Sequence, residues 1–290
     1  MSAAPLVPAA PRHRPLLTDA ARPATFGVST RDERGEVGQV RIAGEHPLTL
    51  YVDRREILTL MTLGAAPEAL VIGYLRNQRL IGSLDDILSV QVDWSTQAAA
   101  VRTRGGLLDL DAKLAHRTKT TGCGSGTMFG DLMADLDTLG LPLRDDGPRL
   151  RQSTLGALAE ALRHHETIYR EAGAVHGCAL FSLDGRLLYF VEDVGRHNAV
   201  DAIAGLMWLD GVDGSDKIFY TTGRLTSEMV IKAAQMGVPF LVSRSGLTQM
   251  GYEIACQVGM TLIGRATARR FLLFNDPGRF EFDAIVAQSS

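Results

Sequence analysis

The sequence predicts an α/β protein in two parts: a smaller N-terminal α+β domain over residues 31–146, and a three-layer, mixed-sheet α/β domain over 147–290. Three observations carry this. In the second half, strand-length apolar runs alternate with helix-length amphipathic ones, the pattern of parallel strands joined by helical crossovers with a sheet covered on both faces. In the first half, strand-like runs gather around a single helix. Between them Asp145-Asp146-Gly147-Pro148 is a cluster of chain breakers, where the boundary is expected. At 290 residues and 46% hydrophobic, the chain can bury two cores. The composition excludes a disordered, collagen-like or disulfide-stapled protein.

Residues 1–30 carry Pro5, Pro8, Pro11, Pro15 and Pro23 among alanines and are expected to be a disordered tail, since so little burial cannot offset the ordering entropy. Strands are expected over 37–42, 48–52 and 56–61: Leu48, Leu50 and Val52 alternate with Thr49 and Tyr51, and Asp53-Arg54 is a turn. Pro67, at a first-turn position, opens a helix over 67–79. Strands over 87–92 and 98–103, a polar glycine-rich passage over 117–127 and a short helix over 128–139 complete this half.

The second half opens with a long helix, about 152–171, whose Leu155, Leu158, Ala159 and Leu162 share a face. Asp184-Gly185 joins strands 177–183 and 186–192 as a hairpin. Then follow helix 198–208, strand 217–221, helix 227–236, strand 239–243, helix 248–258 and strands 261–264 and 271–274. The hairpin makes the sheet mixed.

A net charge of −3 argues against whole-molecule attraction to nucleic acid or an anionic membrane, and no apolar run has the length of a membrane span. The arginines near the start lack the apolar stretch of a secretory signal. Three widely spaced cysteines, Cys123, Cys178 and Cys256, make neither a disulfide framework nor a zinc site, so a reducing, cytoplasmic setting is expected.

Two stretches share one design. Lys217–Thr221 leads through Thr222-Gly223-Arg224-Leu225-Thr226 into a helix, and Phe240–Ser243 leads through Arg244-Ser245-Gly246-Leu247-Thr248 into another. Helix N-termini with free N–H groups attract anions, and an Arg adds a bidentate phosphate donor. A third basic cluster, Arg265, Arg269 and Arg270, follows the next strand. If the strands are neighbours, all three lie beyond the strand C-termini, where α/β folds bind ligands. The ligand implied is phosphate-rich, such as a nucleotide. The bland alternative is that Thr226 and Thr248 only cap their helices.

Glu192-Asp193-Val194-Gly195-Arg196-His197-Asn198 is the most polar strand-to-helix junction. Asn198 could cap the helix, and His197 could serve acid–base chemistry with Asp193 orienting it. The alternative is a hydrogen-bonded knot that holds a tight turn. Cys123 stands in Thr120-Thr-Gly-Cys-Gly-Ser-Gly-Thr127, with no apolar neighbour before Met128. A packing thiol is not normally placed so; a reactive sulfur on a mobile arm is, and Arg117 and Lys119 would favour its thiolate. Cys178 and Cys256 fall in apolar settings and are expected to pack. His46, His116, His164, His165 and His176 show no metal-ligand spacing, which argues against catalytic zinc.

Five segments together resemble the formate dehydrogenase accessory sulfurtransferase family, FdhD. They are Pro47-Leu-Thr-Leu-Tyr-Val52, the Cys123 loop, Glu192-Asp-Val-Gly-Arg-His-Asn-Ala-Val-Asp201, Gly223-Arg-Leu-Thr-Ser-Glu-Met229 and Leu241-Val-Ser-Arg-Ser245. The resemblance implies a sulfur carrier that takes persulfide sulfur from a cysteine desulfurase. It passes the sulfur to the bis-molybdopterin guanine dinucleotide cofactor that formate dehydrogenase needs. It also implies a homodimer, guanine-nucleotide binding, and a C-terminal domain like the cytidine deaminase fold without its zinc. The persulfide role falls on Cys123. Gly223, Arg224, Ser243, Arg244 and Ser245 are expected to bind the cofactor. So is the segment Arg265-Ala266-Thr267-Ala268-Arg269-Arg270, with Asp193, Arg196 and His197 in support. Two features depart from the family. Its Cys-x-x-Cys is reduced here to Cys123-Gly124-Ser125-Gly126, and the 265–270 segment is less glycine-rich than usual. The rival reading is a chaperone that inserts the cofactor without moving sulfur.

Overall fold

The computed structural model describes residues 13–106, 136–141, 146–165, 168–268 and 270–283. The first unit holds β1 (Leu16–Leu17), β2 (Thr25–Arg31), β3 (Val37–Ala43), β4 (His46–Val52), β5 (Arg55–Thr62), α1 (Pro67–Asn77), β6 (Ile87–Asp93) and β7 (Ala98–Thr103). Five of its strands form one sheet in the order β1-β6-β7-β4-β5, and β2 and β3 pair as a separate ribbon. The alternation in β4 has the expected result: Leu48, Leu50 and Val52 are buried, and Thr49 and Tyr51 face outward. Asp53 and Arg54 turn the chain with φ of 46° and 73°.

The second unit holds β8 (Leu150–Arg151), α2 (Gln152–His165), α3 (Ile168–Ala172), β9 (His176–Ser182), β10 (Leu187–Asp193), α4 (Arg196–Asp210), β11 (Lys217–Thr221), α5 (Ser227–Gln235), β12 (Phe240–Ser243), α6 (Gln249–Val258), β13 (Thr261–Gly264), β14 (Leu272–Asn275) and β15 (Phe280–Glu281). Its six-stranded sheet runs β10-β9-β11-β12-β13-β14 and is mixed. β11, β12 and β13 are mutually parallel, while β10/β9, β9/β11 and β13/β14 are antiparallel. One apolar cluster joins its inner face to α4, α5 and α6, and another joins its outer face to Leu155, Leu158 and Leu162 of α2.

The two units meet through α1 and α4. These helices cross at glycines: a Cβ on Gly73 would stand 1.7 Å from the Asp201 carbonyl oxygen, and one on Gly205 would stand 1.9 Å from that of Ala69. The backbones are therefore in contact, and only hydrogen fits between them.

Several expectations need correction. The segment 1–30 is not all tail. Leu16–Leu17 adds a parallel strand to β6, His13 Nε2 is 2.7 Å from the Ile87 carbonyl, and Thr25–Arg31 pairs along its length with β3. Leu136 and Leu139, assigned by sequence to the first unit, are buried in the inner core of the second, with Leu141 N donating to Val258 O. Of the helix expected over 152–171, Gln152–His165 and Ile168–Ala172 are helical, and residues 166–167 lie outside the described residues. Of the helix expected over 128–139, residues 136–139 form a 3₁₀ turn and the remainder lies outside the described residues. Among the described residues no helix is long and apolar enough to cross a membrane.

Candidate functional site

Because β11, β12 and β13 are adjacent and parallel, the chain leaves all three at one edge of the sheet. There the loops 222–226 and 244–248 and the segment from Arg265 are tied into one platform. Arg244 N donates to Thr221 O, Leu225 N to Gly246 O, Thr248 N to Leu225 O, Arg265 N to Ser245 O and Ala266 N to Ser243 O, all within 2.8–3.1 Å. The Ser243 hydroxyl donates to Gly223 O at 2.6 Å and accepts from Ser245 N at 2.9 Å. Gly223 lies under Arg196, whose Cδ would stand 2.8 Å from a Cβ added there.

The platform sorts the expected binding residues by role. Ser243, Gly223 and Ala266 are buried and hold the loops together. Arg224, Arg244, Arg265 and Arg270 are exposed, as are Thr267 and Ala268, and Ser245 is half-buried. None of these four arginines has an acidic partner among the described residues. Arg269 lies outside the described residues, as does Cys123. Thr248 caps α6 by accepting from Gly251 N, whereas Thr226 makes no such bond at α5.

Beside Arg244 opens a cavity of about 250 Å³, walled by Tyr169, Phe190 and Tyr220, with His176, Thr222 and Glu192 at its polar side. Burial, then Arg196 and Arg224, hold the His176 imidazole below its ordinary pKa, so it is neutral at pH 7. Glu192 accepts from Ile168 N and Tyr169 N and so caps α3, which sets Tyr169 at the rim. The sequence reasoning missed this cavity, whose walls come from α2, α3 and three strands.

The 192–198 junction is built differently from its expected form. Asp193 does not orient His197. Its carboxylate accepts from Thr62 Oγ1 (2.6 Å), Leu63 N (3.2 Å), Gly195 N (3.1 Å) and Asn198 Nδ2 (2.9 Å), pinning the end of β5 to the start of α4. Burial still raises its pKa, against the lowering effect of those bonds. Asn198 is not the cap, because α4 begins at Arg196 with Gly195 as N-cap; its amide also donates to Met61 O. His197 faces Glu228 instead, Nδ1 to Oε1 3.4 Å, and burial pushes its pKa down to about 2.

Cys178 is fully buried, its thiol directed to Thr221 Oγ1 at 3.3 Å. Cys256 was expected to pack and is instead exposed, its thiol 3.4 Å from Asn275 Oδ1. Among the described residues no three His, Cys, Asp or Glu side chains gather as a metal site.

Comparison with known proteins gives one consistent result. A family model, the FdhD/NarQ family, matches residues 43–281. The sulfur carrier protein FdhD of Wolinella succinogenes is 28% identical over 243 residues, 83% of this chain and 82% of the relative. That of Sulfurisphaera tokodaii is 30% identical over 253 residues, 86% and 95%. The crystal structure of a formate dehydrogenase accessory protein from Desulfotalea psychrophila superposes with a TM-score of 0.70 at 26% identity, covering 89% of this chain and 98% of that one.

Proposed function

The chain belongs to the FdhD/NarQ family, and from that premise we propose that it is a sulfur carrier that serves formate dehydrogenase. In this reading a cysteine desulfurase supplies sulfur as a persulfide on Cys123, and the acceptor is the bis-molybdopterin guanine dinucleotide cofactor. The relatives' names support the carrier role. The observation that carries the ligand is the platform of three stitched loops bearing four exposed arginines, none with an acidic partner among the described residues, beside an aromatic-walled cavity. A guanine ring has the planar shape for the space between Tyr169, Phe190 and Tyr220, and diphosphate has the charge for Arg224, Arg244, Arg265 and Arg270.

The protein's own groups divide the work. The backbone bonds of the loops keep the arginines in place before the ligand arrives, so little ordering cost falls on binding. The neutral His176 adds no charge and can donate or accept one hydrogen bond. We place the carrier in the cytoplasm as a homodimer, and read its hairpin-led mixed sheet with helices on both faces as a cytidine-deaminase-like fold that works without zinc; the resemblance of its motifs supports these points.

Calorimetric titration with guanosine diphosphate tests the site. Wild type should bind, less tightly as salt rises. Arg244→Ala should cost about 1.5–3 kcal/mol, the range for a charge-assisted bond. Equal affinities would remove Arg244 from the site. Cofactor binding by a protein that never gains sulfur would favour the chaperone reading.

A further inference from the structure

Behind the loop platform lies a buried polar cluster that the sulfur-carrier reading leaves without a part. Lys232 is wholly buried on α5, one turn after Glu228. Its Nζ stands 2.8 Å from Asp201 Oδ2 on α4 and 3.4 Å from Glu228 Oε1. The other Asp201 oxygen accepts from Asn77 Nδ2 of α1 at 2.7 Å. Glu228 Oε1 is in turn 3.4 Å from His197 Nδ1. Five buried side chains from three helices thus form one connected row. Apolar residues would fill such a space with no desolvation cost, so stability alone does not account for a buried ammonium.

The least buried member of the row, Glu228, lies in the first turn of α5. That turn lacks the usual side-chain cap. Thr226 is its N-cap, yet its Oγ1 is buried without a hydrogen bond, while Thr248 at the corresponding place caps α6. An uncapped helix start frays readily. Here the start is continuous with the loop that bears Gly223 and Arg224. Lys232 grips it from below, through Glu228 in the turn itself. The grip is anchored, because Asp201 is bonded to Asn77 and belongs to the α1/α4 pair whose backbones touch at Gly73 and Gly205.

We propose that Lys232 is a positioning residue for phosphate binding: its ammonium, held between Asp201 of α4 and Glu228 in the uncapped first turn of α5, ties that turn to α4 and so fixes Gly223 and Arg224 in the platform. The phosphates of the ligand, and not its base, depend on this grip. The inference rests on the reading of the loops as a phosphate site, and one of its tests does not.

That test is amide hydrogen exchange of residues 223–230 in the full chain without ligand. Lys232→Met combined with Asp201→Asn removes both charges at nearly constant volume and keeps an acceptor for Asn77. Exchange in 223–230 should speed by about tenfold while the core of β11 and β12 stays protected. Glu228→Gln, which keeps the Lys232–Asp201 pair and removes the charge that Lys232 meets in the first turn, should show the same pattern at smaller amplitude. It also keeps the proposal falsifiable if the double variant does not fold. In titrations, guanosine diphosphate affinity should fall about tenfold, or 1.4 kcal/mol, with guanosine affinity unchanged. A role in stability alone would weaken both ligands together or lower the melting temperature without local exchange. Unchanged exchange in 223–230 would overturn the proposal. Wild-type protein that binds neither ligand would overturn the phosphate site, and the exchange data would still decide whether Lys232 holds the loop.

Discussion

Two cysteines with similar apolar neighbours in sequence have opposite fates. Cys178 lies under the platform, and burial raises its thiol to about 12, so it is un-ionised at any ordinary pH. Cys256 projects from α6 into solvent. Brief alkylation of the native protein at pH 8, followed by peptide mapping, should modify Cys256 and leave Cys178 intact until the protein is unfolded. Fast labelling of Cys178 would contradict the packing described. The exposure of Cys256 also makes it a thiol within reach of other molecules, which its sequence setting did not suggest. His197 makes the second residue-scale prediction. Its pKa, about 2 in the fold, lies below the unfolded value of about 6.5. Its contribution to stability is therefore complete above pH 6.5 and is lost as pH falls toward 2, by up to about 1.4 kcal/mol per pH unit. Asp193, Asp201 and Glu228, whose pKa values burial raises, act with the opposite sign: their share is full in acid and is lost as pH rises through their folded values. Comparing wild type with His197→Gln isolates the imidazole. The variant's stability should fall less steeply between pH 6.5 and 5 in urea titrations; equal slopes would contradict the assignment.

At the scale of elements, the α1/α4 crossing ties the halves together. Gly73→Ala would gain about 1 kcal/mol of helix propensity. It would also place a methyl 1.7 Å from the Asp201 carbonyl, an overlap that rigid backbones relieve only by separating. Overpacking costs about 1–3 kcal/mol or more, and contact with a backbone belongs at the upper end. Net destabilisation of about 2 kcal/mol or more is expected by urea unfolding, and a neutral substitution would show that the helices are farther apart than described. Elements such as β4 and β11 were legible because their side chains declare a face: Leu48, Leu50 and Val52 alternate, and Ile218–Tyr220 form a continuous apolar strand. The short strand Leu16–Leu17 was not, because two residues become a strand only when β6 offers its edge. Proline-rich composition describes the chain alone and says nothing of that edge. Likewise Asp193 and His197 are four residues apart, but what each side chain meets is decided by β5 and α5, distant in sequence.

Across the whole molecule, the order of strands and helices in the second unit could be read from periodicity, and with it the edge where the arginine loops emerge. The cavity could not. Tyr169, Phe190, Tyr220 and Arg244 come from separate elements and converge only through the sheet order, with Glu192 turning Tyr169 toward the rim. The buried Lys232 row was likewise hidden, although Glu228 directly before, and Lys232 within, the otherwise apolar run Met229–Ala234 are a sequence signal for it. The resulting architecture places a positively charged face on one unit; the proposed function gives that face a phosphate-bearing cofactor and gives the sulfur to Cys123. The most direct test of that division is mass spectrometry after incubating the protein with a cysteine desulfurase and cysteine. The account predicts a gain of one sulfur atom mapped to Cys123, absent from Cys123→Ala and retained in Arg244→Ala, since a thiolate in a polar, glycine-rich stretch of sequence attacks persulfide sulfur without the arginine face. No gain on Cys123, or a gain that persists in Cys123→Ala, would contradict it.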